Sequence, residues 1–197
     1  MTDLFSLFRP RPDPGAAAPA ERRWSAQDPR AALQRRNLPN VPLLTHAGRP
    51  VRFYDDLVRD RKVVINFLYT ACSNICTPTT RHLLEARTML GEFGRDIRFY
   101  SISLTPLDDD PPALRAYMRS FGIDRDPGWT FLTGKPEHIE QLRTGLGFFS
   151  GNPAEDADLG NHAGMVRIGH EAQMRWGHAS TLTSGRAMAR MIRFELV

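Results

Sequence analysis

Cys72 and Cys76 are the only cysteines in this 197-residue sequence, and they stand four apart in Thr70-Ala71-Cys72-Ser73-Asn74-Ile75-Cys76. That spacing lets both sulfurs face one side of a helical turn, near enough to hold one ion or, after a modest adjustment, to join as a disulfide. If a helix begins near Cys76, its unpaired amides and dipole would lower the thiol pKa and favour thiolate, the species that attacks a disulfide or binds a metal. Soft thiolates select soft ions such as Cu(I), and two sulfurs leave a shell that a neutral imidazole would complete as a third ligand. Redox dithiols of the Cys-X-X-Cys kind have two intervening residues and this pair has three, so pure dithiol exchange is the less direct use. Of the six histidines, His162 follows a polar loop and precedes an expected strand, a place from which it could reach back to a sheet edge. His82, six residues after Cys76, would lie well along the helix and ranks behind it; His46, His138, His170 and His178 read as surface or turn residues. Zinc would need a fourth ligand, and the sequence singles none out.

The elements around the cysteines are those of an α/β sheet. Residues 62–69 (KVVINFLY) form a nearly continuous apolar, β-branched run, as in a central strand covered on both faces. It leads straight into the cysteines. Residues 79–90 have Leu83, Leu84, Ala86 and Leu90 at roughly helical spacing with Gly91 to end them, and residues 97–104 (IRFYSISL) are a second strand. The cysteine loop therefore lies between a buried strand and a helix, where α/β sheets place ligands and chemistry. Upstream, Val41 to Phe53 reads as a hairpin turning at Ala47-Gly48-Arg49-Pro50. Downstream, Asp110-Pro111-Pro112 opens a helix through Phe121, Trp129 to Leu132 is a short strand, and Pro136 starts a helix through Leu142. Residues 150–161 form a polar loop without periodicity, Met165 to Ile168 and Gln173 to Trp176 are two strands, and Ser184 to Phe194 is an amphipathic helix. Asp108-Asp109-Asp110 reads first as a helix cap, and the methionines, scattered over these elements, as core.

Composition bounds the rest. At 41% hydrophobic, the chain can bury one core, which we place in residues 38–197, behind an extension over residues 1–37. Within that extension Pro10, Pro12, Pro14, Gly15 and Pro19 read as a disordered tether. The net charge of +4 comes from 26 basic residues dispersed among 22 acids, a solvated surface without the basic, aromatic-lined stripe of a nucleic-acid binder. Two cysteines exclude a disulfide framework and a four-cysteine zinc site. No run of about 18 apolar residues predicts a membrane span, and neither the first residues nor the pairs Arg22-Arg23 and Arg35-Arg36 lead into the apolar core of an export signal.

The strand KVVINFLY with its Thr70-Ala71-Cys72-Ser73-Asn74-Ile75-Cys76 continuation, the strand-to-turn Ser101-Ile102-Ser103-Leu104-Thr105-Pro106, and His162 in Gly160-Asn161-His162 resemble the Sco (SenC/PrrC) proteins from about Leu38 to the C-terminus. The resemblance implies a thioredoxin-like fold, a central mixed sheet flanked by helices. It also implies copper held by Cys72, Cys76 and His162, and delivery of copper or reductant to the copper centre of a cytochrome c oxidase subunit, with another copper carrier as the other partner. Such a protein is a metallochaperone working on the outer, periplasmic face of a membrane. The family often has proline directly after both cysteines and aspartate before the histidine and before the proline matching Pro106; here Ser73, Thr77, Asn161 and Thr105 stand there. A thiol-disulfide oxidoreductase or thiol peroxidase using Cys72 and Cys76 is the alternative on the same fold.

Overall fold

The centre of the sheet is the strand β3 (Lys62–Leu68), in which every residue after Lys62 is buried. Val63, Ile65 and Phe67 belong to one apolar cluster, and Val64 and Leu68 to another. That division is the period-two alternation of a strand covered on both sides. The computed structural model describes residues 28–72, 75–157 and 164–197, and around β3 it builds a seven-stranded mixed sheet. The other strands are β1 (Pro42–Thr45), β2 (Pro50–Arg52), β4 (Ile97–Ser103), β5 (Trp129–Thr133), β6 (Met165–His170) and β7 (Arg175–Ser180), in spatial order β2-β1-β5-β4-β3-β6-β7. β3, β4 and β5 run parallel, with Lys62 opposite Ile97 and Phe99 opposite Trp129. β1 joins β5, and β6 joins β3, antiparallel.

Six helices complete the described chain: α1 (Pro29–Asn37), α2 (Cys76–Leu90), α3 (Pro111–Ser120), α4 (Pro136–Gly145), α5 (Pro153–Ala157) and α6 (Gly185–Leu196). α2, α3 and α6 cover one face, burying Leu83, Leu114 and Ile192 against Val64, Phe99 and Val166. The other face packs on α4 and on a π-helical segment, Phe53–Val58, whose Phe53 and Val58 are fully buried. This is the mixed sheet flanked by helices that the sequence predicts.

Three details differ from the sequence reading. Residues 29–37, assigned no element there, form α1, started by Asp28 accepting from the Arg30 amide at 3.0 Å, with Pro29 at the first helical position. The polar loop at 150–161 contains α5, entered through the Ala154 amide donating to Asn152 Oδ1 at 3.1 Å. β7 starts at Arg175, not Gln173, because Glu171–Gln173 make a 3₁₀ turn closed by Met174 at φ 54°. Met118 and Met188 lie in the core as expected, whereas Met174, Met191 and Met89 are exposed.

Candidate metal centre

Parallel pairing sends β3 and β4 out of the sheet at the same end, and the chain turns from β3 into the cysteines there. The turn is closed by the Cys72 amide donating to the Tyr69 carbonyl at 3.1 Å. Helix α2 then begins at Cys76 itself, and the Cys76 amide, one of the amides a helix start leaves without a backbone partner, donates to Cys72 Sγ at 3.3 Å. Neither residue is in a disulfide; they are 4% and 5% exposed and belong to the apolar cluster under α2. The first turn of α2 is braced from α3: the Tyr117 hydroxyl lies 2.9 Å from Thr80 Oγ1 and donates to the Cys76 carbonyl at 3.4 Å.

Burial decides the acidity of Cys76. The apolar surroundings push its pKa from the ordinary 9.0 up to about 12, the hydrogen bond with Cys72 adds to the rise, and a backbone hydrogen bond from Tyr69 opposes it. This runs against the expectation that a position at the start of α2 would favour thiolate: burial first, and the hydrogen bond with Cys72 second, push the thiol up. The folded thiol holds its proton more tightly than an unfolded one. Its burial therefore stabilises the metal-free fold below about pH 9, and that contribution fades as pH rises toward 12. Iodoacetamide should accordingly modify Cys76 of the metal-free protein only slowly near neutral pH and faster at each alkaline step, followed by mass spectrometry. Labelling at about pH 7 as fast as that of an unfolded peptide would contradict the burial argument.

The sequence reading missed Asp109. Of the three aspartates, Asp110 does cap α3, accepting from the Ala113 amide at 2.8 Å, but its neighbour turns inward and is 1% exposed. The Asp109 carboxylate accepts from Thr70 Oγ1 at 2.5 Å, the Thr70 amide at 3.2 Å, Ser103 Oγ at 2.6 Å and Thr105 Oγ1 at 3.0 Å. It thereby ties the cysteine turn to the end of β4. Thr105, at a departure from the family pattern, donates here, which a carboxylate at that position would not do. The available signal was a hydroxyl-rich strand end beside an acidic run.

His162 lies outside the described residues, as do Ser73, Asn74 and Asn161. Among the described residues no group of three His, Cys, Asp or Glu side chains is placed to hold a metal. His82, second to His162 in the sequence reading, is engaged at Nδ1 with the Thr181 carbonyl at 3.2 Å, and His46 Nδ1 accepts from the Phe131 amide at 3.2 Å. The donor set on view is two soft sulfurs at a strand-helix junction, a fit to a soft cation that needs at least one further ligand.

Sheet order, flanking helices and a dithiol in the loop after a central strand define a thioredoxin-like protein with a CxxxC pair. The comparisons carry the assignment further. The SCO1/SenC profile matches residues 39–195, and the chain belongs to that family. It is 33% identical over 69 residues to a SCO1 protein homolog of Bacillus subtilis, 35% of either chain. The chain spans about half or less of the length of the curated relatives it matches. Among solved structures, Bradyrhizobium japonicum ScoI, determined with copper bound, superposes with a TM-score of 0.60 at 20% identity, over 80% of this chain and 99% of that one. A SCO1/SenC family lipoprotein from Bacillus anthracis gives 0.64 at 21%, over 79% and 92%. Among the described residues no helix is long and apolar enough to cross a membrane.

Proposed function

We propose that this chain is a copper carrier that holds one ion through Cys72, Cys76 and His162 and passes it, or electrons from the reduced thiol pair, to the copper centre of cytochrome c oxidase. The observation that carries this reading is the pair of buried thiols, neither in a disulfide, at the mouth of the sheet, with Cys72 Sγ accepting from the Cys76 amide. Two sulfurs so placed suit Cu(I), and an imidazole completes a three-coordinate shell. Support for His162 comes from Gly164, two residues on, whose carbonyl accepts from the Thr181 amide at 2.9 Å just before β6 enters antiparallel to β3. Gly164 thus lies at the end of the sheet where β3 leaves toward Cys72. The working unit is residues 38–197, and the outer face of a membrane is the compartment consistent with a lipoprotein relative. The raised Cys76 pKa slows attack by this thiol on a disulfide near neutral pH, which weighs against rapid thiol exchange, and copper must displace the same proton to bind.

Titration of the reduced chain with copper tests this. One ion per chain is expected, with a sulfur-to-Cu(II) charge-transfer band for the oxidised ion. His162→Ala should shift and weaken that band and weaken Cu(II) binding by more than about tenfold. An unchanged spectrum and affinity in that variant would remove the three-ligand site. Copper-independent dithiol turnover that needs both cysteines would instead establish the oxidoreductase reading.

A further inference from the structure

The sheet face opposite the cysteines carries a pocket that the copper site does not use. Arg167 of β6 alternates with Val166 and Ile168, which pack in the cysteine-side cluster, so its guanidinium lies on the other face, beside Trp176 of β7. The guanidinium carbon sits 5.9 Å from the centroid of the Trp176 ring. Among the described residues Arg167 has neither an ion pair nor a hydrogen bond. Burial alone lowers its pKa, with no carboxylate to offset that. The nearest buried acid in sequence, Glu171, is already taken by Arg30 at 2.5 Å, the Tyr54 hydroxyl at 2.7 Å and the Asp60 amide at 2.8 Å.

Trp176 adds a second donor without an acceptor: its Nε1 is buried and unpartnered. Its indole lies flat against Gly169, which faces it across the β6–β7 pair, and a Cβ on Gly169 would stand 2.3 Å from the ring. Arg167 and Trp176 line a pocket of about 160 Å³ together with Leu33, Asn37, Leu38, Leu146 and Met174. The last turns of α1 and α4 close one side. The Gln34 and Leu142 carbonyls there are occupied by the Leu38 and Leu146 amides, and no carbonyl accepts from Arg167. A half-buried guanidinium with no carboxylate beside it has lost part of its hydration without compensation, and an acceptor within reach would offset that cost. An unpaired cation set in a largely apolar cleft is the usual making of a small-molecule site.

We propose that this pocket binds a small carboxylate with an apolar body no larger than about one aromatic ring, its oxygens accepting from the Arg167 guanidinium and its apolar body packing beside the Trp176 indole. A cavity of about 150 Å³ holds benzene, so the volume admits a ring and little more. The site stands apart from the copper reading and survives its failure.

Benzoate is the probe, read in the full-length ¹⁵N-labelled chain through the Trp176 indole N–H resonance, assigned with Trp176→Phe. Benzoate should shift that resonance saturably, with neutral benzamide at least about tenfold weaker because it cannot pair with the charge. Inorganic phosphate, lacking the apolar body, should also be weaker by at least that factor. Arg167→Gln should cost benzoate about tenfold or more, Arg167→Lys less, and Gly169→Ala should displace the indole and weaken binding, while copper titrations of all three match wild type. The proposal fails if benzoate gives no saturable shift, if benzamide or phosphate binds as tightly, or if folded Arg167→Gln retains full affinity. The wild-type comparison decides even if the variants do not fold.

Discussion

Replacing Cys76 by serine is expected to abolish high-affinity copper binding while leaving the fold in place. The hydroxyl is smaller than the thiol, so nothing is overpacked, and the Cys76 amide that donates to Cys72 Sγ is backbone and remains. What is lost is the second soft ligand: a serine hydroxyl stays protonated at any accessible pH and is a hard donor. Loss of an outer-shell partner already costs about 10–100-fold in metal affinity, and loss of a ligating sulfur should exceed that range. The wild-type protein should also show a pH signature that the variant lacks. The Cys76 proton, held to about pH 12 by burial, must leave when copper binds. Apparent affinity should therefore gain about tenfold per pH unit from this proton across the neutral and mildly alkaline range. Cu(I) competition against a chelator at several pH values measures both effects. A Cys76→Ser chain within about tenfold of wild type, or with the same pH slope, would show that Cys76 is not a ligand.

How far the sequence spoke for itself depends on how local the cause was. β3 was legible because burial on both faces leaves a continuous apolar run, and α3 because Asp110, Pro111 and Pro112 write a cap and a first turn into adjacent positions. The cysteine loop was legible for the same reason, lying between two strongly patterned elements. α1 was not, because its arginine-rich sequence shows no apolar stripe. What anchors it is Arg30 reaching Glu171, 141 residues away, a pairing that only the folded sheet creates. The acidity of Cys76 was misread because a helix start is visible in sequence and the depth of a sulfur under α2 and α3 is not. Asp109 could not be told from Asp108 or Asp110: three identical side chains in a row diverge only when Thr70, from the turn after β3, and Ser103, at the end of β4, arrive to meet one of them.

That last residue carries the largest stability effect expected outside the apolar core. Asp109→Ala removes the common acceptor of Thr70, Ser103 and Thr105 at a site 1% exposed. The hydroxyls can turn to other acceptors, but the Thr70 amide is fixed by the backbone and is left without its partner. One stranded amide plus three weakened hydroxyl bonds, two of them short and charge-assisted, amount to about 2–4 kcal/mol. At about 2–4 °C per kcal/mol for a chain of this size, Tm should fall by roughly 5–15 °C. Asp109→Asn keeps one oxygen but turns an NH₂ toward a cluster of donors, so it should lie between alanine and wild type. The turn that Asp109 holds is the one closed by the Cys72 amide on the Tyr69 carbonyl. Loosening it should therefore reach the sulfurs, and copper should leave Asp109→Asn several-fold faster than wild type even below the melting range. A Tm for Asp109→Ala within about 2 °C of wild type would mean that the four hydrogen bonds give no net stability. An unchanged copper off-rate in a destabilised Asp109→Asn would mean that the clamp supports the fold without setting the site.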